Sequence, residues 1–387
     1  MTATHAEGRP GKGVEIRADR VELFEIRLAL RRPFRISSGT RHELRKLLLR
    51  LESPGGTSAW AECVAEERPA YSPETVDTAW IALTEWLAPL VAGRTFEHPS
   101  RVDALLRDAV RGHRMARAAL EMGMWNLAAR RAGRPLAGLL GGERRMVETG
   151  ISVGIQEDPA RLVERAREAV RQGYRKVKLK IQPGADVEYV AAVREAVGDE
   201  VPLAVDGNAA YGIEDAAHLR RLDDLDLLMI EQPLDAEDLV RHARLQRELS
   251  TPICLDESIT TPERAEDMLE LGSGRIVNVK PGRVGGLAPS VRIHDLCRER
   301  DAPVWCGGML ETGIGRGYNV ALASLPGFRL PGDLSPSARY WERDVVEPEW
   351  TMDDEGRVSV PWEEPGIGVD VDADRIEELA VRRQVIA

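Results

Sequence analysis

KVKLKIQPG (residues 176–184) is a short strand pattern with lysine at alternate positions, closed by a Pro-Gly turn. One strand–helix unit later, VDGN (205–208) ends another apolar run in Asp206 and Asn208. The pattern repeats in IEQPL (230–234), CLDES (254–258) and NVKPGRVGG (278–286). The apolar runs are Val147–Val153, Lys176–Ile181, Pro202–Val205, Leu227–Ile230, Pro252–Leu255, Ile276–Val279 and Val304–Cys306, with a weaker eighth at Phe328–Leu330. An amphipathic helix pattern separates each run from the next. Such alternation specifies a parallel sheet with right-handed crossovers. About eight units over about 190 residues fit a (β/α) barrel better than an open doubly wound sheet. The open sheet also calls for GxGxxG after its first strand, and none is there.

Ahead of this region, from about Val14 to Arg145, strands precede helices. Val21–Leu30 and Leu44–Ser53 read as strands, with Pro54-Gly55-Gly56 as a turn, and Ser72–Leu87, Val102–Val110 and Met115–Ala132 read as helices. This order predicts a separate α+β unit. After about Tyr340 the alternation stops, and the tail is expected to pack back on the N-terminal unit. The expected division is a disordered tail (1–13), an α+β capping domain (14–145), a barrel (146–340) and a C-terminal segment (341–387). Met115, Met122 and Met124 read as core.

Composition narrows the function. The 387 residues carry 53 Lys+Arg against 64 Asp+Glu, a net charge of −11, which argues against nucleic acid as a main partner. Hydrophobic residues at 43% and charged residues at 30% are ordinary for a globular chain. No apolar run approaches the roughly 18 residues that span a membrane. Met1–Lys12 lacks the apolar core of a secretory signal. Cys63, Cys254, Cys297 and Cys306 form no CxxC pair, and reduced thiols in the cytoplasm are expected. The seven His form no HxH or HExxH pattern, so zinc has little support.

Polar residues fall at the strand ends: Lys178 and Lys180 on strand two, Asp206 and Asn208 on three, Glu231 on four, Asp256 on five and Lys280 on six. Their spacings of 26, 25, 25 and 24 residues, from Lys180 to Lys280, are one βα unit each. In a barrel these ends converge on the rim that carries catalysis. A single strand-end Asp is often just a helix cap; five successive ionisable strand ends are poorly explained that way. Asp206, Glu231 and Asp256 would repel one another unless a hard cation joined them, and an all-oxygen set fits Mg²⁺, with Mn²⁺ an acceptable substitute. Asn208 shares the strand face of Asp206 and is placed to support a ligand. Strands two and six are opposed in an eight-stranded barrel, so their lysines would stand on either side of a bound substrate. Lys178 and Lys180 point the same way, which predicts that each lowers the other's affinity for a proton. Lys176 reads as structural. This equipment suits abstraction of a proton α to a carboxylate through a stabilised enediolate. A Schiff-base role for Lys280 is a rival reading, in which the three carboxylates have no task. GGMLETGIGRG (307–317) also reads as a phosphate cradle or as turns.

These motifs, together with WCGGMLETGIGR (305–316), PFRISSGT (33–40), WAECVAEERPAYS (60–72) and GHRMARAALEM (112–122), resemble the muconate-lactonizing subgroup of the enolase superfamily. Within it they are most similar to o-succinylbenzoate synthases and N-succinylamino acid racemases. The likeness runs from about Glu22 to Gly368. It implies a (β/α)7β-type modified TIM barrel of α/β class, with an N-terminal capping domain completed by the C-terminal tail. It implies Asp206, Glu231 and Asp256 as Mg²⁺ ligands and Lys180 and Lys280 as the acid/base pair, an arrangement general to enolase-superfamily sites. It further implies substrate contacts from Ser152, Gly308 and Met309, and closure by loops near Ser37–Thr40 and Tyr71. Arg283 is implied as a further substrate contact and as a mark of racemase capability. The implied chemistry is dehydration to o-succinylbenzoate in menaquinone synthesis, racemisation of N-succinylamino acids, or both. Homo-oligomerisation is expected, as for many such barrels. Dipeptide epimerase and muconate cycloisomerase remain alternatives; Asp333, after strand eight, suits the former. A barrel that has lost its chemistry and serves as a scaffold is the third reading.

Overall fold

The computed structural model describes residues 15–36 and 39–386, without the side chains of 34–36 and 39–41. The expected disordered tail and the tip of the expected Ser37–Thr40 loop lie outside the described residues. The N-terminal unit is an antiparallel sheet of β1 (Arg20–Ile36), β2 (Gly39–Glu52) and β3 (Ser58–Cys63), packed on α1 (Arg114–Arg131). β3 is a strand that the alternation pattern does not reveal, because its residues from Ala59 to Cys63 are all buried. α1 is buried from Met115 through Ala129, Met115, Met122 and Met124 included. A helix apolar on nearly every side belongs inside a protein, and this one lies against β3 and the barrel residues Pro281–Val284. The helix read over Ser72–Leu87 begins later, at Val76, where the Thr75 side chain accepts from the Thr78 N–H; it widens into π-type turns at Ala82–Leu87.

The barrel strands are β4 (Ile151–Val153), β5 (Val177–Lys180), β6 (Leu203–Asp206), β7 (Met229–Glu231), β8 (Ile253–Leu255), β9 (Ile276–Val279) and β10 (Val304–Cys306), paired side by side in chain order. All pairs are parallel. The weak eighth run does not form a regular strand. It closes the circle through single parallel bridges, Val304 to Phe328 on one side and Thr149 to Gly332 on the other. The first run splits as well: Met146–Glu148 pairs antiparallel with Arg357–Ser359, and only Ile151–Val153 joins the barrel. Helix starts follow local chemistry. Asp158 ahead of Pro159 and Thr261 ahead of Pro262 each accept the N–H three residues on.

After the barrel the chain returns to the N-terminal unit. β11 (Ala380–Val385) pairs antiparallel with β1, giving the order β11–β1–β2–β3. Two carboxylates from the N-terminal unit cap barrel helices. Glu121 accepts the N–H groups of Leu287 and Ala288 at the start of α2 (Leu287–Glu299), and Glu62 accepts those of Thr312 and Gly315 at the start of α3 (Gly313–Ala323). All four cysteines are buried and free. Among the described residues no helix is long and apolar enough to cross a membrane.

Candidate active site

Register brings the strand ends level. Lys180 pairs with Asp206, and Asp206 with Glu231. Glu231 pairs with Cys254, so Asp256 stands two residues further up the next strand. Asp206, Glu231 and Asp256 are all buried. Lys180 Nζ donates to Asp206 Oδ2 (2.6 Å) and to Asn208 Oδ1 (2.7 Å). Asn208 adopts φ 42°, in the left-handed region that Asn tolerates, and its Nδ2 donates to Glu257 (3.0 Å). Lys280 Nζ donates to Asp256 Oδ2 (2.8 Å) and to the Tyr71 hydroxyl (3.2 Å), which itself donates to Asp256 Oδ1 (3.0 Å). Gly307 lets the Lys280 side chain run past the end of β10, since a Cβ there would lie 2.7 Å from Lys280 Cε.

Lys178 overturns one expectation. Its Nζ lies 2.8 Å from Glu231, 3.2 Å from Asp333 and 3.4 Å from Asp206. Burial alone would lower its pKa, but the Asp333, Glu231 and Asp206 carboxylates outweigh it and hold the ammonium well above the ordinary lysine value. Lys178 is therefore a fixed positive charge between carboxylates. Lys176, read as structural, is fully buried with Nζ 3.5 Å from the Trp305 ring centroid, and burial pushes its pKa down to about 8.

One cavity is lined by Lys178, Lys180, Asn208 and Lys280 together with Ser152, Gly308 and Met309 from the barrel and Tyr71 from the N-terminal unit. Arg283 does not line it. It is buried behind Asp256, contacting that carboxylate and donating to the Ile259 carbonyl (2.7 Å). Several residues of the site, Asp333 apart, escaped the strand-end pattern. Asn278 donates to Glu231 Oε1 (2.8 Å), and its parity with Lys280 on β9 was the available signal. Asp333 accepts from Ser152 Oγ (2.9 Å) and pairs with Lys178. Burial raises the Glu257 pKa, with the neighbouring Asp206 charge adding to it. Lys46 reaches the cavity from β2.

Among the described residues no three His, Cys, Asp or Glu side chains stand together as a ready metal cluster. Lysine and arginine cations lie between the carboxylates instead. The donor chemistry nevertheless fits a hard divalent ion. Asp206, Glu231 and Asp256 offer oxygen only, and the buried Glu231 Oε2 has a cation, the Lys178 ammonium, as its partner at 2.8 Å.

Residues 161–375 match the enolase C-terminal domain-like family, and residues 19–141 match the N-terminal domain of mandelate racemase and muconate lactonizing enzyme. The chain belongs to the enolase superfamily. An o-succinylbenzoate synthase of Geobacillus stearothermophilus is 48% identical to this superfamily member over 362 residues, covering 94% of this chain and 96% of the relative. An N-succinylamino acid racemase of an Amycolatopsis species is 45% identical over 363 residues, covering 94% and 97%. The crystal structure of an enolase-superfamily protein from Listeria innocua superposes with a TM-score of 0.92 at 36% identity, covering 96% of this chain and 99% of that one. Enolase-superfamily enzymes are generally Mg²⁺-dependent.

Proposed function

We propose that this enolase-superfamily member removes a proton α to a carboxylate through an enediolate, as an o-succinylbenzoate synthase, an N-succinylamino acid racemase, or both. The observation that carries this reading is the pair Lys180 and Lys280. They line one cavity from opposite sides of the barrel, with Asp206, Glu231 and Asp256 on the strand ends between them. The likeness to an o-succinylbenzoate synthase and to an N-succinylamino acid racemase supports the same choice.

Asp206, Glu231 and Asp256 would hold Mg²⁺, or Mn²⁺ in its place. The ion when bound supplies positive charge that stabilises the developing dianion of the substrate carboxylate. The lysines do the proton work. A neutral Lys180 or Lys280 takes the α-proton on Nζ while the C–H electron pair moves onto the carboxylate. In racemisation the opposite lysine, as an ammonium, returns a proton to the other face. In dehydration the C–OH bond breaks instead, and the hydroxyl leaves as water with a proton from a lysine ammonium. Lys178 keeps its charge and orients Glu231 and Asp333. Asn208 holds Lys180 Nζ in place, and Tyr71 does the same for Lys280. Ser152, Gly308 and Met309 contact substrate, and the capping domain (14–145, with 341–387) excludes water above the barrel (146–340). Arg283 acts from behind, through Asp256. The substrate is a small carboxylate, the location cytoplasmic and the assembly a homo-oligomer. Asp333 does not set aside a dipeptide substrate: it lines the cavity, and its Ser152 and Lys178 contacts both fall on Oδ2 while Oδ1 makes no hydrogen bond.

The test is α-proton exchange of N-succinylphenylglycine in D₂O with Mg²⁺, followed by NMR, with synthase turnover measured in parallel. Metal-dependent deuterium incorporation is the expected result. Neither exchange nor turnover, with Mg²⁺ bound, would remove both activities and leave only the site.

A further inference from the structure

Lys46 stands on β2, buried, and lines the same cavity as Lys180 and Lys280. Its Nζ donates to the Met309 carbonyl (3.3 Å) in the loop after β10 and lies 3.2 Å from Glu62 Oε1. Glu62 is not a simple counter-ion. Its Oε2 accepts from the Thr312 N–H (3.0 Å), the Thr312 hydroxyl (2.7 Å) and the Gly315 N–H (3.2 Å). The positive end of α3 therefore shares the Glu62 charge, and no hydrogen bond reaches Oε1. The other cavity cations are committed. Lys178, Lys180 and Lys280 sit on the strand-end carboxylates, and Arg45 is held by Glu25 and Asp77.

We propose that Lys46 is a second carboxylate subsite, on the capping-domain side of the cavity, and that this site selects substrates bearing one carboxylate at the reacting carbon and another on the acyl chain. The proposal rests on the α-proton reading above. An acyl-chain carboxylate enclosed by the cap without a cation would lose its hydration uncompensated. Lys46 can exchange the neutral Met309 carbonyl for that carboxylate while α3 keeps Glu62 in place. Because Lys46 also touches the loop that carries Gly308 and Met309, an occupied subsite holds that loop against the cap.

The test compares α-proton exchange of N-succinylphenylglycine and N-acetylphenylglycine, which differ by the second carboxylate, in the wild type, Lys46→Met and Lys46→Arg. For Lys46→Met, kcat/KM on the succinyl substrate is expected to fall about 10- to 100-fold, mainly through KM, with the acetyl substrate changed by less than about threefold. Lys46→Arg should restore most of the loss. Should Lys46→Met alone fold poorly, with Glu62 left buried and unpaired, the double variant Lys46→Met/Glu62→Gln gives the same comparison. Equal losses on both substrates, or no loss on the succinyl one, would overturn the subsite. A wild type that exchanges the two substrates equally well would overturn the subsite alone, whereas one that exchanges neither and shows no synthase turnover would overturn the α-proton reading and the subsite with it.

Discussion

Lys180 Nζ and Asp206 Oδ2 lie 2.6 Å apart across two neighbouring parallel strands, as their residues pair in register. The contact joins a base of the proposed reaction to a ligand of the proposed metal. Burial would raise the Asp206 pKa, but the ammonium groups of Lys180 and Lys178 outweigh it and hold the carboxyl below its ordinary range. Asp206 is thus ionised and ready for a cation over the whole physiological range.

Replacing either lysine should separate the two faces of the reaction. Lys180→Ala and Lys280→Ala are each expected to lose at least about 10³-fold in racemisation, the scale of a general acid/base group. Each should lose α-deuterium incorporation from one enantiomer only, followed by NMR in D₂O from each pure enantiomer. Loss from both enantiomers in both variants would reject the two-base assignment.

Removing a ligand should weaken the metal before it disturbs the fold. Asp206→Asn and Glu231→Gln are expected to bind Mg²⁺ or Mn²⁺ more than about 100-fold less tightly by calorimetry, beyond the range seen for residues that only orient ligands. Chelator should abolish turnover of the wild type and leave its circular dichroism unchanged. Unaltered metal affinity in both variants would exclude these carboxylates as ligands.

Lys176 links burial to pH. Its ammonium has no hydrogen bond and lies against Trp305, and its pKa falls from 10.5 to about 8 on folding. Between those values the unfolded chain binds more protons, so stability rises with pH; the penalty is complete below pH 8. Lys176→Met should accordingly raise stability at pH 7 by about 1–3 kcal/mol, an advantage that fades towards pH 10.5. Thermal melts of the two proteins at pH 7 and 10 measure it, and a pH-independent difference would contradict the burial argument.

Glu121 is expected to anchor the two units. It accepts from Leu287 N–H (2.8 Å), Ala288 N–H (2.9 Å) and the Trp125 indole (2.8 Å) while fully buried. Glu121→Ala leaves those donors unpaired and should cost about 2–4 kcal/mol in denaturant unfolding. Glu121→Gln keeps an acceptor and should cost less. Equal losses would show that the carboxamide cannot serve as a cap here.

The barrel and its reactive rim were legible in the sequence for a local reason. Each βα unit repeats at nearly constant length, so strand-end residues such as Asp206, Glu231 and Asp256 recur in phase. The eighth segment was weak because it makes only single bridges, at Phe328 and Gly332. β3 is hidden in the sequence because burial of consecutive residues erases the alternation that marks a half-exposed strand. Lys178 departs from expectation for a different reason. Its neighbour Lys180 is visible in the sequence, whereas Asp333, a carboxylate that outweighs that repulsion, lies 155 residues further on. Arg283, implied as a substrate contact, is set back from the cavity by packing, touching Asp256 and the hydroxyl of cavity-lining Tyr71.

By itself, then, the sequence determined the succession of parallel strands, the end of the barrel that carries the charges, and the class of chemistry those charges suit. Side-chain direction and element period are properties of a few consecutive residues and can be read along the chain. The tertiary structure alone decided which charges meet, which lysine keeps its proton, how Glu62 and Glu121 fasten the cap to barrel helices, and how β11 completes the N-terminal sheet. Those outcomes depend on distances and burial between residues far apart in the chain, and Coulomb and desolvation energies are set by separation in space, not by separation in sequence.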